Sequence, residues 1–386
     1  MTSGGLQRIL VCPETKLPVR QCTLDEAAHL TPDQSLVPVR SGGPQPVGPT
    51  SSVMLREDHQ CAYPIVDGTP VLLAPEALVP HSRQRSFDLS DPRYAEAYAE
   101  MNFYNQAAEE RAKDVAASKM IRLLAPVREA APTDRGSFPE PREIWLDATY
   151  DLASQWDAYR HIGRVEGKRV LQVGGAGVHT LKFLYAGARE AWLLSPMLEE
   201  LRFARSAAHH SGLADRFHCA AGIAEELPFE SGSFDAIYSG GCVHHMVTEL
   251  ALPEFARVLG AGGRFAAVEP WRAPLYRIGV RIFGQRETPL VGNRDVGIFC
   301  RPMTTERTQS LFTAFPQAEV AQHGALTRYP LIALYKLGLS PTLATAWRIN
   351  RIDDAICARF PRLRRMGSSV ALLGARASGE SVPTAP

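Results

Sequence analysis

Between residues 165 and 270, apolar segments of strand length alternate with segments of helical character. The strand-like segments are KRVLQVGG, REAWLLS, DRFHCAAG, FDAIYSG and GGRFAAVEP. Parallel strands cannot be joined by a tight turn and need a crossover, usually a helix, so this alternation is typical of a parallel sheet covered on both faces. The sequence therefore predicts an α/β fold with a doubly wound sheet.

The first of these strands ends in a glycine turn, VLQVGGAG (170–177), that leads into a helix. Glycines in such a turn let the backbone approach a ligand closely, and the helix start offers unpaired N–H groups and the positive end of the helix dipole. The same turn also occurs where a strand and a helix simply pack tightly. The turn indicates a ligand site at the carboxyl end of the strand and leaves the ligand open.

Two later segments, GIAEELPFESGSFDAIYSGGCVHHM (222–246) and LPEFARVLGAGGRFAAVEP (252–270), carry a family pattern. They resemble the core of class I S-adenosylmethionine-dependent methyltransferases of the ubiquinone/menaquinone-biosynthesis type, often called type 11. The matching residues are Gly222, Glu225, Leu227, Pro228, Phe229, Ser233, Phe234, Asp235, His244, His245, Arg257, Val258, Leu259, Gly262 and Gly263. The resemblance covers about 165–376 and implies a seven-stranded, Rossmann-like core, completed by strands near 317–323 and at SSVALLGAR. It also implies S-adenosyl-L-methionine as the cofactor.

The resemblance makes His244 and His245 the candidate catalytic residues, because the residues after the fourth strand border the reacting methyl group and the substrate in that family. Histidine suits a general base since its ordinary pKa lies near working pH. Two adjacent side chains point in different directions, so at most one is expected to face the pocket. The alternative is that neither acts in catalysis, because methyl transfer to a thiol, enolate or phenolate can depend on positioning alone.

The cofactor site is predicted from the same resemblance. Its candidate residues are Gln172, Gly174, Gly175, Gly177, Ser195, Ile223, Ala224, Glu225 and Ser239. The family usually carries acids where this chain has Gln172, Ser195 and Ile223, and it uses them for the ammonium, ribose and adenine groups of the cofactor. Gln172 and Ser195 can still form hydrogen bonds, but charge-assisted hydrogen bonds are about twice as strong as neutral ones.

The amino-terminal 80 residues predict a small α+β domain with a hairpin at Asp67-Gly68. LVCPETKLPV and AYPIVDGTPVLL resemble the zinc-ribbon domain that activates tRNA and release-factor methyltransferases. A ribbon needs two Cys-x-x-Cys pairs, yet Thr15 follows Cys12 at the partner position. A set of Cys12, Cys22, His59 and Cys61 is conceivable, but we predict no bound metal and a degenerate, ribbon-like packing module.

The chain is predicted to divide into four parts. They are the ribbon-like domain (1–80), a helical lid and linker (81–164), the methyltransferase core with late strands and helices (165–376), and a disordered tail (377–386). The helix predicted over 91–125 carries Tyr94, Tyr98, Phe103 and Tyr104. We expect these aromatics, or Tyr150 and Trp156, to close the pocket.

Composition bounds the function further. The 386 residues carry a net charge of +1 and only seven cysteines, there is no long apolar segment, and MTSGGLQRILVCPETK lacks the apolar core of a signal peptide. We expect a cytoplasmic enzyme with a small-molecule acceptor, without a nucleic-acid or membrane partner. Specialised metabolism as its setting, and a homodimer or a partner protein, stay open. The alternatives are other chemistry in the same pocket, such as cyclisation of the sulfonium ligand, and a non-catalytic, methyltransferase-like subunit.

Overall fold

The computed structural model describes residues 9–39, 50–85, 87–101, 151–273, 301–339 and 341–377. The strands are β1 (Val19–Thr23), β2 (Val37–Pro38), β3 (Ser52–Arg56), β4 (Ala62–Val66), β5 (Thr69–Pro70), β6 (Leu78–Val79), β7 (Arg169–Val173), β8 (Glu190–Leu194), β9 (Phe217–Ala220), β10 (Phe234–Gly240), β11 (Leu259–Pro270), β12 (Glu319–His323) and β13 (Ser369–Ala375). The helices are α1 (Leu24–Leu30), α2 (92–101), α3 (Leu152–Ile162), α4 (Val178–Tyr185), α5 (Leu198–His210), α6 (Thr248–Val258), α7 (Gln309–Ala314), α8 (Arg328–Lys336) and α9 (Leu343–Arg359).

A seven-stranded sheet forms the centre of the molecule, in the order β12-β13-β11-β10-β7-β8-β9. Strands β7 to β11 are mutually parallel, whereas β13 runs antiparallel between β11 and β12. From β7 the chain proceeds to β8 on one side, and β10 returns to the other side, so the strand order reverses between β7 and β10. Ligands of open α/β sheets bind in the crevice at such a point, beyond the carboxyl ends of the strands.

Both faces of this sheet are buried, which confirms the doubly wound α/β prediction. Along β8, Ala191 and Leu193 join one apolar cluster with α3, α4 and α5, while Trp192 and Leu194 join a second cluster with α6 and α7. Successive side chains of a strand point to opposite faces, so a strand covered on both faces is apolar throughout. The alternation of strands and helices in the sequence thus corresponds to an apolar core on both faces of the sheet.

The amino-terminal part forms the small α+β domain that the sequence predicts. Its antiparallel sheet has the order β1-β3-β4-β6-β2, with β5 added beside β4. The predicted hairpin is present: β4 and β5 pair antiparallel, and both Asp67 and Gly68 have positive φ. The domain packs against the edge of the large sheet, where Ala221 exchanges backbone hydrogen bonds with the segment at Pro70 and Leu72.

The four residues considered as zinc ligands do not come together in the described chain. The group of at least three possible ligands that the described residues bring within 4.8 Å of one another lies elsewhere, around His245. Cys22 belongs to a separate apolar cluster, away from Cys12 and Cys61. A guanidinium nitrogen of Arg56 instead lies 3.7 Å from Cys12 Sγ, so a fixed cation accompanies this thiol. The structure therefore gives no support to a four-ligand ribbon centre.

Helix α2 is the described part of the helix predicted over 91–125, and the rest of that helix, Tyr150 and the linker 131–141 lie outside the described residues. Pro92 stands at its start, where the missing N–H costs nothing. Within the parts of the chain that the structure describes, no helix combines the length and apolar character needed to span a membrane.

Candidate functional site

A cavity of about 80 Å³ lies at the carboxyl ends of β7 and β8, beside the loops that follow β9 and β10. One face of helix α2 forms its opposite wall. The lining residues are Pro92, Arg93, Glu96, Ala97, Glu100, Val173, Gly174, Leu194, Pro196, Met197, Gly222, Ile223, Ala224, Glu225, Cys242, His245 and Met246. The cavity therefore occupies the crevice that the strand order predicts for a ligand.

His245 lies in the cavity wall between two carboxylates of helix α2. Its Nδ1 is 2.8 Å from an oxygen of Glu96 and 2.8 Å from Oε1 of Glu100. Burial disfavours the imidazolium, but the carboxylates of Glu100 and Glu96 outweigh that effect and raise the pKa of His245 to about 9. At neutral pH His245 is therefore protonated and cannot accept a proton, which differs from the role of base expected from the sequence.

One N–H cannot serve two carboxylates equally. The Nδ1 hydrogen bond of His245 goes to Glu96, and the buried Oε1 of Glu100 is left with an ion-pair contact but no hydrogen-bond donor among the described residues. Arg301 also pairs with Glu96 and donates to the carbonyl of His245, 2.7 Å away. The three candidate ligand atoms of Glu96, Glu100 and His245 lie within 4.8 Å of one another, so they form a compact, negatively charged cluster around one proton.

His244 points away from the cavity and into the core. Its Nδ1 lies 2.6 Å from Glu269, whose carboxylate is fully buried and also accepts the backbone N–H groups of Cys242, Val243 and His244. Burial lowers the pKa of His244 although Glu269 acts in the opposite direction. The pair holds the loop after β10 in shape, so the described structure puts one histidine in the cavity wall, as the sequence predicts for adjacent residues.

Glu225 is the acid in the cavity wall whose protonation is poised near neutral pH. Burial raises the pKa of Glu225 to about 7, against the effect of the Val247 N–H, which donates to its Oε1 at 2.8 Å. A group with a pKa near working pH can take up and release a proton during catalysis. Sequence reasoning had placed Glu225 with the cofactor residues only.

The glycine turn has the expected backbone, but Gln172 has a different role. Gln172 Oε1 accepts hydrogen bonds from the backbone and the hydroxyl of Thr180, both at 2.7 Å, while its Nε2 donates to the carbonyl of Gly174 at 2.8 Å. Its amide therefore fastens the turn to the first turn of α4 rather than facing the cavity. Gly174 and Gly175 have positive φ, and Gly177 caps α4 in the left-handed region. A Cβ on Gly174 would lie 2.5 Å from Sγ of Cys242.

The two predicted serines also bond to the protein. Ser195 is buried, and its Oγ accepts from the N–H of Met197 at 3.2 Å; Ser239 is buried and donates to the carbonyl of Val173 at 3.0 Å. Neither contributes to the cavity wall, whereas Ile223 and Ala224 do. Of the predicted cofactor residues, Gly174, Ile223, Ala224 and Glu225 are thus brought together around the cavity, and Gly175, Gly177, Gln172, Ser195 and Ser239 support the loops behind it.

The aromatic residues of helix α2 do not close the pocket. The hydroxyl of Tyr94 donates to Glu226 at 2.5 Å, and that of Tyr98 donates to Glu76 at 2.6 Å, so both side chains anchor the helix outside the cavity wall. Trp156, on α3, packs edge-on against Trp347 of α9. The face towards the cavity carries Glu96 and Glu100, which sequence reasoning missed. Their four-residue spacing in EAYAE was the available signal, since it puts both carboxylates on one helix face.

The cavity suits S-adenosyl-L-methionine in position and charge. It adjoins the glycine turn, and its wall contains three carboxylates for a ligand with a sulfonium and an ammonium group. Its volume, about 80 Å³, is below the roughly 300–1,000 Å³ of ordinary ligand pockets. A ligand as large as S-adenosyl-L-methionine therefore requires an outward shift of helix α2, which forms the wall opposite the sheet.

Comparisons with known proteins match this part of the chain. Residues 171–267 match the family model described as "Methyltransferase domain". The ubiquinone/menaquinone biosynthesis C-methyltransferase UbiE of Brucella anthropi is 38% identical over 99 residues, which cover 25% of this chain and 38% of that protein. The tRNA U34 carboxymethyltransferase of Psychrobacter arcticus is 28% identical over 143 residues, covering 33% of this chain and 40% of that protein. The chain thus spans about two fifths of the length of these relatives.

Among solved structures, the geranyl diphosphate C-methyltransferase of Streptomyces coelicolor has a TM-score of 0.40 and 14% identity, over 58% of this chain and 78% of that one. The domain match and the seven-stranded sheet that contains it both indicate a Rossmann-like methyltransferase fold. Residues 171–267, which run from β7 into β11 of the Rossmann-like sheet, therefore match a methyltransferase domain, and this match indicates S-adenosyl-L-methionine as the cofactor.

Proposed function

We propose that the chain transfers a methyl group from S-adenosyl-L-methionine to a small-molecule acceptor. The observation that carries the proposal is the cavity at the carboxyl ends of β7 and β8, inside the matched domain, with Glu225 in its wall at a pKa of about 7. The cavity lies between helix α2 and the strand ends, which fits a small acceptor better than a macromolecule. A role in specialised metabolism is part of the same proposal.

Each residue of the wall has a physical role in this reaction. When bound, S-adenosyl-L-methionine supplies an electrophilic methyl group on a sulfonium centre. Gly174, in the cavity wall, would give the cofactor a backbone surface without a side chain, and Glu225 would accept the proton of the acceptor's hydroxyl, thiol or carbon acid. His245, protonated between its carboxylates, holds helix α2 over the cavity and helps to exclude water.

The first experiment is calorimetric titration with S-adenosyl-L-methionine and S-adenosylhomocysteine. We expect both to bind at one site per chain. A panel of phenols, thiols and carbon acids, with release of S-adenosylhomocysteine as the signal, then identifies the acceptor class, and Glu225→Gln should lower turnover by about 10²–10⁴-fold. If neither cofactor form binds, methyl transfer is refuted.

A second candidate function, a non-catalytic partner subunit, is favoured by one observation. Gln172 and Ser195, which replace acids of the family pattern, both satisfy their hydrogen bonds within the protein and present nothing to a ligand. A partner subunit would bind neither cofactor form. In size-exclusion chromatography it would co-elute with a second protein or elute as a dimer. The titration above separates these two functions.

A further inference from the structure

The carboxyl ends of β7 and β8 and the segment after β9 carry uncharged residues, namely Gln172, Ser195 and Ile223. Gln172 and Ser195 are turned inward, and Ile223 is apolar. None of the three can carry a negative charge. The sheet side of the cavity therefore lacks the charge that a cationic cofactor calls for, apart from Glu225.

Negative charge instead enters the cavity from helix α2. Glu96 and Glu100 are one helical turn apart, and both line the cavity opposite the glycine turn. Glu100 is only 6% exposed, and its Oε1 has no hydrogen-bond donor among the described residues. This oxygen has lost its water and shares the imidazolium of His245 with Glu96, without a hydrogen bond of its own, which is costly for a buried carboxylate. A ligand that brings a cation or a donor removes that cost.

Resting on the proposed function, we infer that Glu100, assisted by Glu96, binds the cationic end of S-adenosyl-L-methionine in place of the acids missing from the strand ends. His245 and Arg301 balance these carboxylates in the structure described here, and the cofactor's charge competes with the imidazolium of His245 for them. The carboxylates that bind the cofactor thus lie on a helix that precedes the methyltransferase domain in the sequence.

The test is the affinity of purified protein for S-adenosyl-L-methionine and S-adenosylhomocysteine, measured by calorimetry. Glu100→Gln keeps the size of the side chain and removes its charge, and Glu57→Gln, on an exposed turn of the amino-terminal domain, is the matched control. Loss of a charge-assisted hydrogen bond predicts at least a tenfold weaker binding of S-adenosyl-L-methionine in Glu100→Gln and no change in Glu57→Gln. A larger loss for S-adenosyl-L-methionine than for S-adenosylhomocysteine, or an equal loss for both, supports the inference, because they differ at the sulfonium and share the ammonium group.

His245→Gln separates a direct role of Glu100 from a merely structural one. It breaks the contact between helix α2 and the loop after β10 but keeps both carboxylates. Direct binding predicts that His245→Gln loses clearly less affinity for S-adenosyl-L-methionine than Glu100→Gln does, because it loosens the helix but keeps both carboxylates and removes a competing cation. If His245→Gln weakens binding as much as Glu100→Gln does, the carboxylates only hold the helix and the inference is overturned.

Two further outcomes overturn the inference. One is binding by Glu100→Gln within twofold of the wild type, which leaves methyl transfer intact since the wild type still binds. The other is stoichiometric binding of Mn²⁺ that is lost in Glu100→Gln, because Glu96, Glu100 and His245 would then be a metal site. A wild type that binds neither cofactor form refutes the proposed function as well, so the two failures are distinguishable.

Discussion

Replacing Glu225 by Gln should stabilise the protein at alkaline pH and leave its stability almost unchanged at acid pH. Burial raises the pKa of Glu225 from 4.5 to about 7 in the folded state. In the folded protein the carboxyl therefore holds its proton over a range of pH in which the unfolded chain has already released it. Above that range, ionised Glu225 must be kept in the cavity wall at a cost in stability.

The sign and size of this change in the free energy of unfolding follow from proton linkage. Between pH 4.5 and about 7 the folded state binds more protons at this site than the unfolded state, so the free energy of unfolding falls as the pH rises. A difference of about 2.5 pKa units corresponds to about 3 kcal/mol, and we expect about 2 kcal/mol because the side chain faces a cavity that can admit water. Gln resembles the protonated carboxyl and can still accept the N–H of Val247, so it removes the cost without removing that bond.

The assay is urea denaturation of the wild type and Glu225→Gln at about pH 5 and about pH 8.5, with Glu57→Gln as control. The variant should be more stable by about 2 kcal/mol at the higher pH, and the two proteins should agree within about 0.5 kcal/mol at the lower. A stability difference that is the same at both pH values would show that Glu225 is not poised near neutral pH. The assignment of Glu225 as the base would then lose its physical ground.

Four other outcomes are expected. Burial disfavours the charge on His323, but Asp157 and Asp354 raise its pKa to about 9; His323→Gln should therefore cost about 2 kcal/mol of unfolding free energy near pH 6, and the deficit should vanish as the pH rises through about 9. Ile223→Asp, in the cavity wall, should bind S-adenosyl-L-methionine about tenfold more tightly, whereas Ser195→Asp, behind the wall, should give no gain in the same titration. Amide hydrogen exchange of helix α2 should slow when the cofactor is added, and unchanged exchange would reduce the helix to a structural cap. Elemental analysis of the purified protein should find less than stoichiometric zinc.

The fold could be predicted because its determinants are local. The apolar segments and the glycine turn of VLQVGGAG predict a strand, a turn and a helix from a few neighbouring residues. The Asp67-Gly68 pair likewise predicts its hairpin. The number of strands is not a local property, and the prediction of seven came from the resemblance rather than from periodicity. The local prediction succeeded because strands that are buried on both faces are apolar throughout.

The candidate site was predicted only in part, because the direction of a polar side chain depends on tertiary contacts. Nothing near Gln172 in the sequence reveals that the N–H and hydroxyl of Thr180 would both reach its Oε1. The same limit applies to the pair of histidines. His244 is drawn inward by Glu269, 25 residues later, and His245 outward by acids nearly 150 residues earlier.

The transfer of charge from the strand ends to helix α2 has a consequence for regulation of the site. A carboxylate at a strand end is fixed by the sheet, whereas Glu96 and Glu100 move with their helix. If these carboxylates bind the cofactor, every contact that holds the helix affects cofactor affinity, and the cofactor stabilises those contacts by the same free energy. The hydrogen bonds of Tyr94 to Glu226 and Tyr98 to Glu76 are such contacts, and Glu76 belongs to the amino-terminal domain. If so, the amino-terminal domain influences cofactor affinity through the position of helix α2.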